Sequence, residues 1–139
     1  SGVMEAANKG AYESGKSPSV GLNIVLPFEQ VTNRYATSNF VFSNLSARKF
    51  ALIERSSAFL VFPGGFGTLD ELFEILVLAQ IGAKKTKIFL IGSEFWSKLD
   101  DFIKTTLIRE KAVSEEDLSL YTISDDLDAV RDEILGILN

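Results

Sequence analysis

The chain has 139 residues, a length that fits one domain. It is 46% hydrophobic with eleven Phe, enough for a sizeable core, and its net charge of −5 argues against a general nucleic-acid binder, because phosphate backbones demand clustered Lys and Arg. It contains neither Cys nor His, which removes disulfides, the commonest general base and the commonest metal ligand, so any catalysis falls to Asp, Glu, Arg, Lys, Tyr, Ser or Thr.

Taken in chain order, helix-like and strand-like runs alternate. Residues 3–13 read as a helix ended by Gly15, and residues 19–26 (SVGLNIVL) as a strand stopped by Pro27. The start, SGVMEAANKGAYESG, reads as a helix already under way, with no strand before it and no initiating methionine. The expectation is that N-terminal strands of the whole protein precede Ser1. A polar loop at 28–38 leads to a short strand at 39–43 and a helix at 46–56. Residues 58–62 (AFLVF) form a strand with no polar position, as expected of one buried on both faces. A glycine-rich turn follows, then a helix at 69–81 with Gly82 near its end. The rest reads as a strand at 86–91 (TKIFLI), a helix at 95–109, a short helix at 115–120, a short strand at 121–123 and a last helix at 126–138. Val130, Ile134 and Leu138 mark one stripe of that last helix.

This alternation predicts an α/β fold: a single Rossmann-like domain over residues 1–139, a three-layer sandwich with a parallel sheet and helices on both faces. One sheet is expected to hold residues 22–26, 58–62 and 87–91. Ligands of such folds bind outside the carboxyl ends of the strands. The loop after Leu26, the turn after Ser43 and the glycine turn after Phe62 all fall at that edge. No apolar run reaches the ~18 residues of a membrane span and no secretory leader is legible, so the expected location is the cytoplasm.

FPGGFGTLDEL, at 62–72, is the most informative stretch. It is not a Walker loop, since no Lys follows Gly67, and Asp70 stands where a dinucleotide fingerprint needs its third glycine. The physics of those loops is shared, however. Glycines let backbone approach an anion, and a helix N-terminus offers free N–H groups and a positive dipole end. On that reading Gly64, Gly65, Gly67 and Thr68 cradle a phosphate. The plainer reading is a tight turn followed by a capping box, because Thr68 and Glu71 match the [ST]-x-x-E pattern. It explains one glycine well, but not three after a buried strand.

In SNLSARKF, residues 43–50, Arg48 and Lys49 fall in the first turn of a helix, where cations oppose the helix dipole. The plainer reading is a solvated surface pair. If the strands before Arg48 and before Glu71 are neighbours, a cation and a carboxylate converge beside the anion cradle. The loop FEQVTNRYATS is a solvated connection or a cover in which Phe28 or Tyr35 stacks on a base and Arg34 touches a phosphate. Glu5 and Asn8 are ordinary helix surface, unless a glycine-rich strand end precedes them and brings them to the same edge.

PGGFGTLDE resembles the P-G-G-x-G-T-x-x-E signature of the Lonely Guy family, the cytokinin-activating phosphoribohydrolases long described as lysine decarboxylase-like. SARKFAL resembles the segment with the family's Arg-Lys pair, and SGVMEAANKGA the helix after its G-G-G-P-G turn. The resemblance covers nearly the whole chain, and the nine-residue signature is its specific part. It implies a Rossmann-like fold, a homodimer, and hydrolysis of the N-glycosidic bond of a nucleoside 5′-monophosphate such as AMP or an N6-modified AMP, without metal or cofactor. It implies Arg48 and Glu71 as the catalytic pair. It also implies that Gly64, Gly65, Gly67 and Thr68 hold the 5′-phosphate, with Lys49 lining the site; Glu5 and Asn8 join them as substrate-binding candidates if a glycine-rich strand end precedes Ser1. The rival on the same fold is a non-catalytic carrier or sensor, of the kind that binds the molybdenum cofactor or a nucleotide. The decarboxylase description finds no support, because no Lys is marked as the Schiff-base partner that pyridoxal phosphate chemistry needs.

Overall fold

A computed structural model describes residues 2–27 and 33–138 of the chain. The chain divides into two compact units, Ser1–Arg55 and Ser56–Asn139. The expected polar loop falls partly on residues 28–32, so the proposed stacking role of Phe28 lies outside the described residues.

The first unit holds α1 (Val3–Ser14), β1 (Val20–Ile24), β2 (Ser38–Phe42) and α2 (Leu45–Glu54). Gly15, at φ 62°, closes α1 in the left-handed conformation that glycine adopts without strain. β1 and β2 pair in parallel, from Val20 opposite Ser38 to Ile24 opposite Phe42. Ahead of β1, Ser19 is 1% exposed, and its polar atoms are all used. Its N–H donates to Thr37 Oγ1 at 3.0 Å, and its carbonyl accepts from Thr37 N–H at 2.6 Å. Its hydroxyl accepts from Asn8 Nδ2 at 2.8 Å and donates to Asn8 O at 3.1 Å. Buried polar groups need such pairing, and here it staples α1 to the start of the ladder.

The second unit holds β3 (Ala58–Val61), α3 (Phe66–Gln80), β4 (Lys87–Ile91), α4 (Ser93–Phe102), β5 (Thr122–Ser124) and α5 (Leu127–Leu138). Its sheet is parallel in the order β3-β4-β5. The core gathers Leu72 and Ile75 of α3, Ile88–Ile91 of β4, Trp96 of α4 and Val130 of α5. Phe89 and Ile91 pack with Val130, with Phe62 and Ile134 against them. Trp96 is fully buried, and its indole N–H donates to the carbonyl of Ile91 at 3.1 Å.

The α/β class with parallel sheets and flanking helices is as expected for a Rossmann-like fold, but details differ. Among the described residues the strands pair as β1-β2 in the first unit and β3-β4-β5 in the second, and no pairing joins residues 22–26 to the other two expected strands. The strand buried throughout its apolar stretch is β4; among the described residues β3 pairs only with β4, and Leu60 is 42% exposed. A short apolar run does not reveal how many neighbours a strand will have. Val130 and Ile134 point inward as expected, whereas Leu138 is 65% exposed at the end of α5. The expected helix at 95–109 begins at Ser93 and widens after Phe102 into a π-helical turn, Ile103–Leu107, with Ile108 N–H reaching Ile103 O at 3.0 Å.

The early start of α4 has a visible cause in Asp125, just past β5. One carboxylate oxygen accepts Ser93 N–H at 2.7 Å and the other accepts the Ser93 hydroxyl at 2.5 Å. These bonds, the hydroxyl first and then the backbone N–H, hold the Asp125 carboxyl below the usual carboxylate range. A carboxyl depressed in the folded state adds stability above its unfolded pKa of about 3.9, and that contribution is lost as pH falls through the folded value. Urea denaturation of wild type and Asp125→Asn across pH 2–6 therefore has an expected outcome: the variant is less stable near pH 6, and the gap closes below about pH 4.

Candidate active site

The glycine turn leaves the carboxyl end of β3 and feeds directly into α3. That helix starts at Phe66, with Gly65 as its N-cap and no side chain capping it. Its first backbone bond runs from Leu69 N–H to Gly65 O at 3.1 Å. Thr68 is thus the third helical residue, not the cap, and Glu71 lies one turn further in. The capping-box reading of Thr68 and Glu71 is removed: a glycine in extended conformation starts the helix three residues earlier than the pattern suggests. A capping box does exist in the chain, at Ser114 and Asp117.

The three glycines have different causes. A Cβ on Gly64 would stand 2.8 Å from Thr68 Cβ and 3.2 Å from its Cγ2, with Oγ1 nearer still. Gly64 therefore makes room for the Thr68 side chain. A Cβ on Gly65 or Gly67 meets nothing within 4 Å, and neither residue has a positive φ. Neither packing nor backbone conformation asks for glycine at these two positions. Both face open space where the first N–H groups of α3 have no intrahelical acceptor.

Three other helix starts are closed from within the chain, while α1 begins at Gly2 with no side-chain cap but carries Glu5 in its first turn. Asn44 Oδ1 accepts Ala47 N–H at 3.1 Å at the start of α2, and Asp126 Oδ1 accepts Ala129 N–H at 3.0 Å at the start of α5. Asp125 closes α4. The start of α3 carries neither a side-chain cap nor an acidic residue in its first turn.

Glu71 is half-buried on α3, with Leu72 beside it fully buried. A cavity of about 720 Å³ opens next to the turn, bounded by Pro63, Leu69, Gly92, Phe95, Trp96 and Leu99.

In the first unit, Arg48 and Lys49 lie on α2 and both are half-buried, and Nε of Arg48 is buried. They are not a freely solvated pair. The convergence of Arg48 and Glu71 is conditional on the strands before them being neighbours; among the described residues the pairings are β2 with β1 and β3 with β4. Glu5 is half-buried on α1. The Asn8 amide donates to Ser19 and, at 3.4 Å, to Val20 O, and it accepts from Asn33 Nδ2 at 2.9 Å. Tyr35 does not stand open: Arg34 lies over its ring at 4.7 Å, Lys9 at 5.8 Å, and the Tyr12 ring at 6.0 Å between centroids.

Sequence reasoning passed over Gly92, Ser93 and Asp125, which sit at the same sheet edge as the glycine turn. The available signal was the glycine that follows TKIFLI, an apolar strand ending in Gly like the one that ends in PGG.

A family model described as possible lysine decarboxylase matches residues 4–134. The chain belongs to this family. It is the Lonely Guy family, to which the PGGFGTLDE signature pointed. A probable cytokinin riboside 5′-monophosphate phosphoribohydrolase of Oryza sativa subsp. japonica is 28% identical over 119 residues, covering 85% of this chain and 45% of the relative. A cytokinin riboside 5′-monophosphate phosphoribohydrolase of Arabidopsis thaliana is 27% identical over 115 residues, 82% of this chain and 51% of its own length. A probable enzyme of the same name from Arabidopsis thaliana is 26% identical over 115 residues, 82% and 54% of the respective chains. The chain spans about half the length of these curated relatives. Among the described residues, no helix is long and apolar enough to cross a membrane.

The glycine geometry separates two substitutions. Gly64→Ala forces a Cβ into Thr68 and is expected to destabilise by about 1–3 kcal/mol, the usual cost of overpacking. Gly67→Ala places alanine in open space within a helix and is expected to be neutral or to stabilise by up to about 1 kcal/mol. Urea denaturation of the two variants checks the ordering; a Gly67→Ala protein less stable than Gly64→Ala contradicts the geometry.

Proposed function

We propose that this chain supplies the nucleotide site of a phosphoribohydrolase. Its reaction is hydrolysis of the N-glycosidic bond of a nucleoside 5′-monophosphate, AMP or an N6-modified AMP, to free base and ribose 5-phosphate. The observation that carries the reading is the glycine turn. Among the described residues nothing stands within 4 Å of a Cβ built on Gly65 or Gly67, at an α3 N-terminus with no side-chain cap. A dianionic phosphate supplies both the acceptor and the need for close approach. The printed names of the relatives support the same chemistry.

On this reading Gly64, Gly65, Gly67 and Thr68 hold the 5′-phosphate through backbone N–H groups and the Thr68 hydroxyl. Arg48 and Glu71 are the catalytic pair, with Lys49, Glu5 and Asn8 lining the pocket, and residues 1–139 act as one nucleotide-binding domain. Breaking the C1′–N bond builds positive charge on the sugar, by analogy with glycoside hydrolysis. The Glu71 carboxylate stabilises that charge. It either takes a proton from the attacking water or attacks C1′ itself, with water releasing the sugar in a second step. In both routes water delivers OH to C1′ and a proton to the departing base. Arg48 orients the nucleotide by a charge-assisted contact. The reading includes a cytoplasmic homodimer. Phe66, Phe73, Val77 and Ile81 recur along one side of α3 and are 93%, 41%, 52% and 67% exposed, an apolar stripe that suits coverage by a second copy.

Glu71→Gln tests the site. Gln keeps the shape and hydrogen-bonding reach of Glu, so the change is expected to leave folding intact. It deletes the negative charge under the developing oxocarbenium ion, so turnover is expected to fall about a hundred- to a thousandfold, the scale of losing one such electrostatic contact. AMP binding is expected to persist. Release of free base from AMP and an N6-substituted AMP, with AMP affinity by calorimetry, gives both numbers. Base release at the wild-type rate by the variant overturns the assignment of Glu71. A wild-type protein that binds AMP and releases no base favours the carrier or sensor reading.

A further inference from the structure

Three strand ends line up at the carboxyl edge of the second unit's sheet. Val61 pairs with Leu90, and Ile91 with Ser124. The same register, carried one or two residues further, sets Pro63, Gly92 and Asp125 side by side. Gly92 N–H donates to Ser124 O at 3.2 Å. Gly92 has φ 104°, a conformation closed to residues with a side chain. A Cβ there would stand 3.4 Å from Pro63 Cγ and 3.7 Å from Cδ. The Pro63 ring therefore rests close to the bare Cα of Gly92.

This conformation carries a cost elsewhere. Gly92 is the N-cap of α4 and has no side chain with which to cap it. Asp125 supplies the cap from another element, with both carboxylate oxygens on the single residue Ser93. A carboxylate bound twice to one residue fixes that residue's backbone as well as its side chain. Ser93 fixed means Gly92 fixed, and Gly92 is the surface on which Pro63 sits. Pro63 has its own φ locked by its ring, so holding the ring sets the direction in which the chain runs into Gly64 and Gly65.

We propose that Asp125 is a positioning residue for the anion cradle. Through Ser93 and Gly92 it holds Pro63, and so holds the Gly64–Thr68 turn in the form that receives a phosphate. The inference rests on reading that turn as the phosphate cradle. It differs from simple helix capping in what it predicts. A cap that serves only α4 changes stability and leaves phosphate affinity alone. A positioning residue changes affinity for whatever carries the phosphate, and by the same factor for each such ligand.

The test uses the whole protein with AMP and ribose 5-phosphate as probes, measured by calorimetry. Asp125→Ala is expected to weaken both by about tenfold, the lower end of what losing a supporting hydrogen bond behind a site costs. KM for AMP rises by the same factor, and kcat at saturating AMP is unchanged, since neither Arg48 nor Glu71 is touched. Asp125→Asn keeps an acceptor for Ser93 N–H and an amide opposite its hydroxyl, and is expected to recover most of the affinity. Should Asp125→Ala fail to fold, Ser93→Ala removes only the hydroxyl contact and is expected to give a smaller loss, again equal for the two probes. Either folded variant binding both probes at wild-type affinity overturns the proposal, as does a loss for AMP with none for ribose 5-phosphate. A wild-type protein that binds neither probe overturns the cradle reading and this inference together. If wild type binds both and Gly67→Ala weakens both while the Asp125 and Ser93 variants do not, the positioning role alone falls.

Discussion

Burial of β4 is the constraint on which the second unit depends. Ile88, Phe89, Leu90 and Ile91 are 2%, 1%, 1% and 7% exposed. Complete burial of each such side chain is worth about 1.5–3 kcal/mol, so one short strand accounts for much of the local driving force. Being the middle strand, it receives β3 on one side and β5 on the other, both in parallel. Parallel pairing brings their carboxyl ends to one edge. Trp96 ties α4 to the last carbonyl of the same strand, and Val130 of α5 covers one of its faces. The position of the glycine turn beside the β4–α4 junction follows from that packing.

Two neighbouring strand-to-helix junctions then treat their helix N-termini in opposite ways. At α4, the chain brings its own carboxylate, Asp125, and spends it on Ser93. At α3, no side chain caps the helix and no acidic residue occupies the first turn. The positive end of a helix dipole is most favourably met by an anion. The first junction satisfies that preference internally; at the second, the proposed reading has the substrate's phosphate meet it. Gly65 and Gly67, with open space where a Cβ would be, belong to the second strategy. Gly64 is required for a different reason, the packing of Thr68, and on the proposed reading it adds only its backbone to the cradle.

The first unit is organised by polar rather than apolar burial. Ser19 and Asn8 join α1 to the β1–β2 ladder through bonds that use the Asn8 amide from both ends. Asn8 was a candidate for the site on the premise that a glycine-rich strand end precedes its helix. That premise could not reveal that the amide has structural partners in Ser19, Val20 and Asn33. The same holds for Tyr35, whose ring is flanked by Arg34, Lys9 and Tyr12.

Element types and their order were legible in the residues alone, because hydrophobic period and glycine punctuation are local properties written residue by residue. Residues 3–13, 58–62 and 87–91 were legible for that reason, as was the glycine turn with its nine-residue signature. Properties that depend on spatial neighbours emerged only on folding. An apolar run does not state whether it lies at the middle or the edge of a sheet, and so β4, not β3, is the strand buried over four successive residues. The pattern Thr68-x-x-Glu71 does not state where a helix begins, because Gly65 starts α3 with backbone alone. Nor does any local rule connect Asp125 to Ser93, 32 positions away. That bond exists because parallel strands in register carry their loops to a common edge, where a glycine without a cap meets a carboxylate without another partner in sequence.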